Sequence, residues 1–104
     1  MDFVVIAEHP PDLCPVSNKS IRKQMQEGIA HFPDLAKKLG VEITFMGVPM
    51  IDHMMFFVVK AKSFEAVRNF MVESGLIQTQ KAHIYPTVSM DEAMKMSEKL
   101  SPIF

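Results

Sequence analysis

Residues 53–61, His-Met-Met-Phe-Phe-Val-Val-Lys-Ala, form the most apolar segment of this 104-residue chain. A short run of consecutive apolar side chains, without polar alternation, is typical of a strand that is covered on both faces. A second run of this kind, Phe3-Val4-Val5-Ile6-Ala7, predicts another buried strand over residues 3 to 8. The two runs therefore predict a sheet with two apolar strands at its centre.

Two helices are predicted by apolar side chains that recur every three or four residues. The first begins near Asn18 with Ser17 as its N-cap, and Pro33 is expected to break or kink it before a short continuation. The second begins after Ser63 and ends at Gly75. The apolar positions are Ile21, Met25, Ile29 and Phe32 in the first helix, and Phe64, Val67, Phe70 and Met71 in the second.

Two further strands and a final helix complete the pattern. In residues 41–48 the apolar side chains Val41, Ile43 and Phe45 alternate with polar ones, which indicates a strand with one wetter face. Residues 82–88 form a fourth strand, and its proline indicates a sheet edge because proline cannot donate to the ladder. A capping box that begins at Ser89 then opens a C-terminal helix.

The order of these elements predicts an α+β fold of the ferredoxin-like type, βαββαβ with an extra C-terminal helix. Right-handed crossovers give an antiparallel four-stranded sheet in the order 4-1-3-2, with helices on one face. The other face would leave apolar side chains in water, so association with a second copy is expected. The chain is thus predicted to be one domain, residues 1–104, that forms a homodimer.

Two segments of the second half carry a recognisable pattern: residues 56–67, Phe-Phe-Val-Val-Lys-Ala-Lys-Ser-Phe-Glu-Ala-Val, and residues 84–93, Ile-Tyr-Pro-Thr-Val-Ser-Met-Asp-Glu-Ala. This half of the chain resembles the short one-domain members, of uncharacterised function, of the dimeric α+β-barrel superfamily. The resemblance implies that two ferredoxin-like sheets close on each other. Superfamily members include isomerases, cofactor-free oxygenases, haem-handling enzymes and metal binders, so the resemblance carries no catalytic residue across. The chain has no tryptophan, which counts against the quinone-forming oxygenases and the haem-degrading members.

Composition excludes several classes of protein. A hydrophobic fraction of 48% with 22% charged residues is typical of a folded globular chain. A net charge of −1 gives no electrostatic reason to expect nucleic acid or an anionic membrane as a partner. No apolar run approaches the roughly 20 residues of a membrane span, and the start of the chain lacks a secretory pattern. With one cysteine and no possible internal disulfide, we expect a cytoplasmic protein.

Candidate metal ligands follow from the predicted topology. The end of the first strand should lie beside the beginnings of the third and fourth, which brings His9, His53 and His83 to one rim of the sheet. The loop that leaves this rim carries Asp12 and Cys14. Imidazoles with an optional carboxylate or thiolate suit zinc, copper, nickel or iron. The sequence therefore predicts a transition-metal site at this histidine-rich rim.

Other interpretations of the same residues stay open. Asp52 is a further candidate ligand or orients an imidazole, and the helix N-terminus near the rim would also favour a small anionic ligand. A second hypothesis is a cofactor-free isomerase or oxygenase, with Tyr85 as proton donor and Glu8 as base in a pocket between helices and sheet. A third is a structural or regulatory dimer without a site, in which Tyr85 is an interface aromatic and Cys14 a small buried side chain.

Overall fold

Four antiparallel strands form a single sheet in the computed structural model, which describes residues 1–103. The strands are β1 (Asp2–Glu8), β2 (Val41–Gly47), β3 (Met54–Ala61) and β4 (Lys81–Thr87). Their order in the sheet is β2-β3-β1-β4, which confirms the predicted order and the ferredoxin-like α+β fold. The proline-containing strand β4 lies at an edge, as its missing N–H requires.

Three helices accompany the sheet. They are α1 (Lys19–Lys38), α2 (Phe64–Glu73) and α3 (Met90–Glu98). Ser63 and Ser89 cap α2 and α3 as predicted, because each hydroxyl accepts from the backbone N–H three residues later. None of the helices in residues 1–103 is long and apolar enough to cross a membrane.

One prediction about α1 is wrong, and a second is wrong in part. Asn18 rather than Ser17 is the N-cap, since its side-chain oxygen accepts from the backbone N–H of Ile21 at 3.0 Å. The expected break at Pro33 does not occur, since one helix continues through it to Lys38, and the alternative of a kink stays a prediction. The chain stays helical because Phe32 and Ala36, on either side of this exposed proline, are both buried in the core.

The core lies between the sheet and the helices α1 and α2. The side chains of Phe3, Val5 and Ala7 in β1 are at most 1% exposed. They belong to one core cluster with Phe57 and Val59 of β3 and with Phe32 and Phe70, whose rings meet edge to face. The other side of the sheet, called here the helix-free face, carries apolar side chains that are half-buried or exposed in the single chain. They are Val4, Ile6, Phe45, Phe56, Val58 and Tyr85.

A β-bulge in β2 changes the expected alternation of that strand. Ile43 pairs with Val59 on the helix side, but Phe45 pairs with Val58 on the helix-free face. The extra residue is Thr44, whose hydroxyl donates to the backbone oxygen of Val58 at 2.9 Å. The predicted common face for Ile43 and Phe45 is therefore wrong, and Phe45 adds to the exposed apolar surface.

Candidate metal centre

The candidate site lies at the rim where β1 ends. The strand register extends one residue beyond β1, so that His9 lies between His53, which precedes β3, and Gln80, which precedes β4. The backbone N–H of His9 donates to the backbone oxygen of His53 at 3.1 Å. His9 is two residues after Ala7, a core side chain, and strand alternation therefore directs its imidazole toward the helix side. The central part of the sheet thus positions the imidazoles of His9 and His53 and the side-chain amide of Gln80.

Cys14 reaches the same rim through the proline-rich loop that follows β1. The loop contains a 3₁₀ turn, Pro11–Leu13, and the backbone N–H of Cys14 donates to the oxygen of Pro11 at 3.2 Å. The backbone oxygen of Cys14 accepts from Ser17 at 3.1 Å and from Asn18 at 2.9 Å, where α1 begins. Because both its backbone groups are bonded, the residue is held in place, and it is only 6% exposed.

Three side chains of metal-ligating types lie close together at this rim. The ligand atoms of His9, Cys14 and His53 all lie within 4.8 Å of one another. The two imidazole rings meet edge to face, with centroids 5.8 Å apart. Ligand atoms of a tetrahedral zinc ion lie roughly 3.3–3.7 Å apart, so closing the group needs a shift on the order of 1 Å. His53 is exposed and can supply this movement.

The amide of Gln80 determines which nitrogen of His9 is free. Its oxygen Oε1 lies 2.9 Å from Nδ1 of His9. Because an amide oxygen only accepts, Nδ1 is the donor in this hydrogen bond, and Nε2 is the nitrogen left for an ion. That Nε2 atom is buried and has no hydrogen-bond partner within residues 1–103. A metal-binding histidine has the same arrangement, with one nitrogen donating to an oxygen and the other bonded to the ion.

A cavity of about 480 Å³ adjoins the group. His9, Cys14, His53 and Gln80 contribute to its wall, and most of the remaining lining is apolar. Asp52 is its one charged side chain among the described residues, and its carboxylate accepts from the backbone N–H of His53 at 2.7 Å. The candidate ligands therefore face a largely apolar space of small-molecule size.

The structure separates His83 from the other two histidines. His83 pairs with Ile6, three residues before the rim, and its side chain lies on the helix-free face. Its Nε2 is 3.6 Å from a carboxylate oxygen of Glu8, and its ring stacks on Tyr85 with centroids 6.3 Å apart. The expected convergence of three histidines is therefore corrected to two, with Cys14 as the third member.

The remaining predicted site residues lie away from the group or beside it. Glu8 and Tyr85 are on the helix-free face, which corrects their expected position in a pocket between helices and sheet. Asp12 is exposed, and its backbone oxygen accepts from the side chain of Asn18 at 3.0 Å. Asp52 does line the cavity, and its carboxylate accepts a hydrogen bond from the backbone N–H of His53.

Sequence reasoning missed Gln80, because glutamine is not a residue type that marks a metal site. The signal that identifies it is its register. A fourth strand that begins at Lys81 places the preceding residue opposite His9, whereas the predicted strand began one residue later. The orienting residue is thus found from strand pairing rather than from a motif.

Two imidazoles and a thiol suit borderline-soft transition metals, whereas calcium and magnesium prefer oxygen ligands. Three protein ligands also leave one position of a tetrahedral ion open, as in catalytic zinc sites. No family model matches the chain, and no curated protein matches it either. The function is therefore inferred from the site itself.

Proposed function

We propose that the protein binds one transition-metal ion through His9, Cys14 and His53. The observation that carries this proposal is the buried Nε2 of His9, which has no hydrogen-bond partner in the described chain while Gln80 is hydrogen-bonded to Nδ1. A buried polar atom without a hydrogen bond costs about 1–3 kcal/mol, and a bound ion would offset this cost. The neighbouring thiol and second imidazole supply the other two bonds.

The ligand set favours zinc or copper over nickel and iron. A thiolate is a soft donor, and the lining of the cavity next to it includes four methionines, Met25, Met50, Met54 and Met55. Since no lysine or arginine of residues 1–103 lines this cavity, a small anionic ligand would bind there through the charge of the metal. Metal binding is therefore the primary function proposed, and anion binding is secondary to it.

Metal content per chain tests the proposal. Untagged protein purified without chelators should contain about one equivalent of zinc or copper by elemental mass spectrometry. His53→Ala should lose this metal, because a two-ligand site binds far more weakly. His31→Ala is the matched control, since His31 is an exposed histidine of α1 outside the group. A content below about a tenth of an equivalent, persisting after incubation with each metal, would contradict the proposal.

We further propose that two chains associate through their helix-free faces to form a homodimer. Apolar side chains occupy the middle of this face, including Phe45, which is 53% exposed and stacks on Phe56. The same face carries charges of both signs, which allows a second copy to pair with it. They are Asp2, Glu8 and Glu42 with Lys60 and Lys81. A second copy would therefore offer this face both apolar area and charges of the opposite sign.

Sedimentation equilibrium tests the dimer. The wild-type protein should have twice the chain mass of 11.8 kDa. Val58→Lys places a charge in the middle of the helix-free face and should give the monomer mass, because an unpaired charge would have to be buried. Val72→Lys, at an exposed position of α2, is the matched control and should stay dimeric. A monomeric wild-type protein would refute this part of the proposal.

A further inference from the structure

We propose that the cavity beside the candidate metal centre binds a small neutral carbonyl compound with an apolar body. The carbonyl oxygen would accept a hydrogen bond from the side-chain nitrogen of Gln80. This inference goes beyond metal binding, because it assigns an organic ligand to the space that the three candidate metal ligands border.

Gln80 is the residue that carries the inference. It is 5% exposed, and it is the one buried residue of the described chain with a polar or charged side chain. Its oxygen is used by His9, but its nitrogen Nε2 is buried and has no hydrogen-bond partner in residues 1–103. Gln80 lines the cavity, but its Nε2 has almost no surface open to a water-sized molecule, so a ligand supplies the missing acceptor only by displacing the side chains that cover this atom. A buried amide N–H is nearly always paired, and its pairing here requires an oxygen or nitrogen acceptor from outside the chain.

The rest of the lining defines the body of the ligand. Apolar side chains from α1, from the segment before β3 and from the start of β3 make this wall. They include Met25, Ile29, Val48, Met50, Ile51 and Met55. A volume of about 480 Å³ lies within the usual range of small-molecule sites. An apolar body of modest size therefore fits this space.

The charges around the cavity select a neutral compound. Within residues 1–103, no lysine or arginine lines it, and the carboxylate of Asp52 is its only charged group. A carboxylate or phosphate ligand would thus lose its hydration and be repelled by the carboxylate of Asp52. A ketone, aldehyde, ester or amide carries no charge and avoids both penalties. If the ion of the proposed function is bound, the same carbonyl would lie beside it and could be polarised by it. That last point rests on the proposed metal site, and ligand binding itself does not.

Nuclear magnetic resonance with 2-hexanone as the probe tests the inference. The ketone is titrated into ¹⁵N-labelled protein, both metal-free and zinc-loaded, and the side-chain amide of Gln80 is followed. The expected result is a saturable shift of this signal. Gln80→Glu keeps an oxygen acceptor for His9 but removes the N–H donor, so it should weaken ketone binding roughly two- to tenfold. Gln78→Glu makes the same charge change at an exposed position outside the cavity and should bind like wild type.

Gln80→Met, which is neutral and cannot donate, covers the case in which the buried carboxylate of Gln80→Glu prevents folding, and it should weaken binding equally. Three results would overturn the inference: no saturable shift in either form of the protein, the same affinity for the ketone in both Gln80 variants as in the wild-type protein, or tighter binding of hexanoate than of the ketone to metal-free protein. The two proposals fail separately. Ketone binding in a chain that takes up no metal leaves this inference standing, and metal uptake without ketone binding refutes it alone.

Discussion

Replacing His53 by alanine should abolish stabilisation by metal while leaving the metal-free fold intact. The side chain of His53 is exposed, and its ring meets the ring of His9 edge to face. The hydrogen bonds that hold this position in place are made by its backbone N–H to Asp52 and by its backbone oxygen to His9, and both survive the substitution. We therefore expect the free energy of unfolding of the metal-free protein to change by less than about 0.5 kcal/mol.

The metal-dependent part of the stability should behave differently. An ion present at about 100 times its dissociation constant stabilises the folded state by about 2.7 kcal/mol. For a domain of this size, about 1 kcal/mol raises the melting temperature by roughly 4–8 °C, so the wild-type protein should gain about 10–20 °C. His53→Ala at the same zinc concentration should gain only a small part of this, because the ion loses one of three ligands.

Thermal unfolding followed by circular dichroism, with and without zinc, measures both parts. His31→Ala and His83→Ala are controls that should keep the full metal-dependent gain, since neither residue belongs to the group. The reasoning would be refuted if His53→Ala kept the wild-type gain. It would also be refuted if His83→Ala lost the gain, because the structure places that side chain on the opposite face of the sheet.

Three further predictions follow from the site and the fold. Cys14→Ser should remove the thiolate-to-metal charge-transfer absorption of the cobalt-substituted protein, because the serine hydroxyl is not a soft donor. An unchanged spectrum would exclude the thiol as a ligand. Pro33→Ala should stabilise the folded chain by up to about 3 kcal/mol, since it restores a helical hydrogen bond inside α1. Urea unfolding measures this change. A loss of stability would show that the proline is needed there. Phe57→Ala should lower the free energy of unfolding by about 3–5 kcal/mol, because Phe57 is 1% exposed. In monomeric protein, Phe45→Ala should lower it by less than about 1 kcal/mol. Equal losses in the two variants would contradict the assignment of the core.

Much of the fold could be predicted because its determinants are patterns within the chain. The apolar runs at Phe3–Ala7 and Met54–Val59 identify the central strands, and handedness then leaves few possible sheet orders. Local rules failed where tertiary packing decided the outcome. Pro33 is tolerated because Phe32 and Ala36 hold the helix against the core, and the bulge at Thr44 moves Phe45 to the other face.

The candidate site was predicted in part, since it depends on strand register. His9 and His53 are neighbours in any pairing that sets the end of β1 beside the beginning of β3. His83 is different, because its face depends on which residue begins β4 and on how far along the strand it lies. Cys14 depends on the course of the proline-rich loop, and the orienting amide of Gln80 follows only from the observed register. The register of the strands and the course of the loop therefore decided which of the predicted residues come together, and neither follows from the sequence pattern.

X-ray absorption spectroscopy of the metal-loaded protein tests the central proposal most directly, because it reports the atoms bonded to the ion. With zinc, we expect one sulfur at about 2.3 Å and two imidazole nitrogens at about 2.0–2.1 Å, with the remaining position filled by a light atom. Cys14→Ser should remove the sulfur contribution. A spectrum with only oxygen and nitrogen neighbours in the wild-type protein, or with sulfur retained in Cys14→Ser, would contradict the assignment of His9, Cys14 and His53 as the metal ligands.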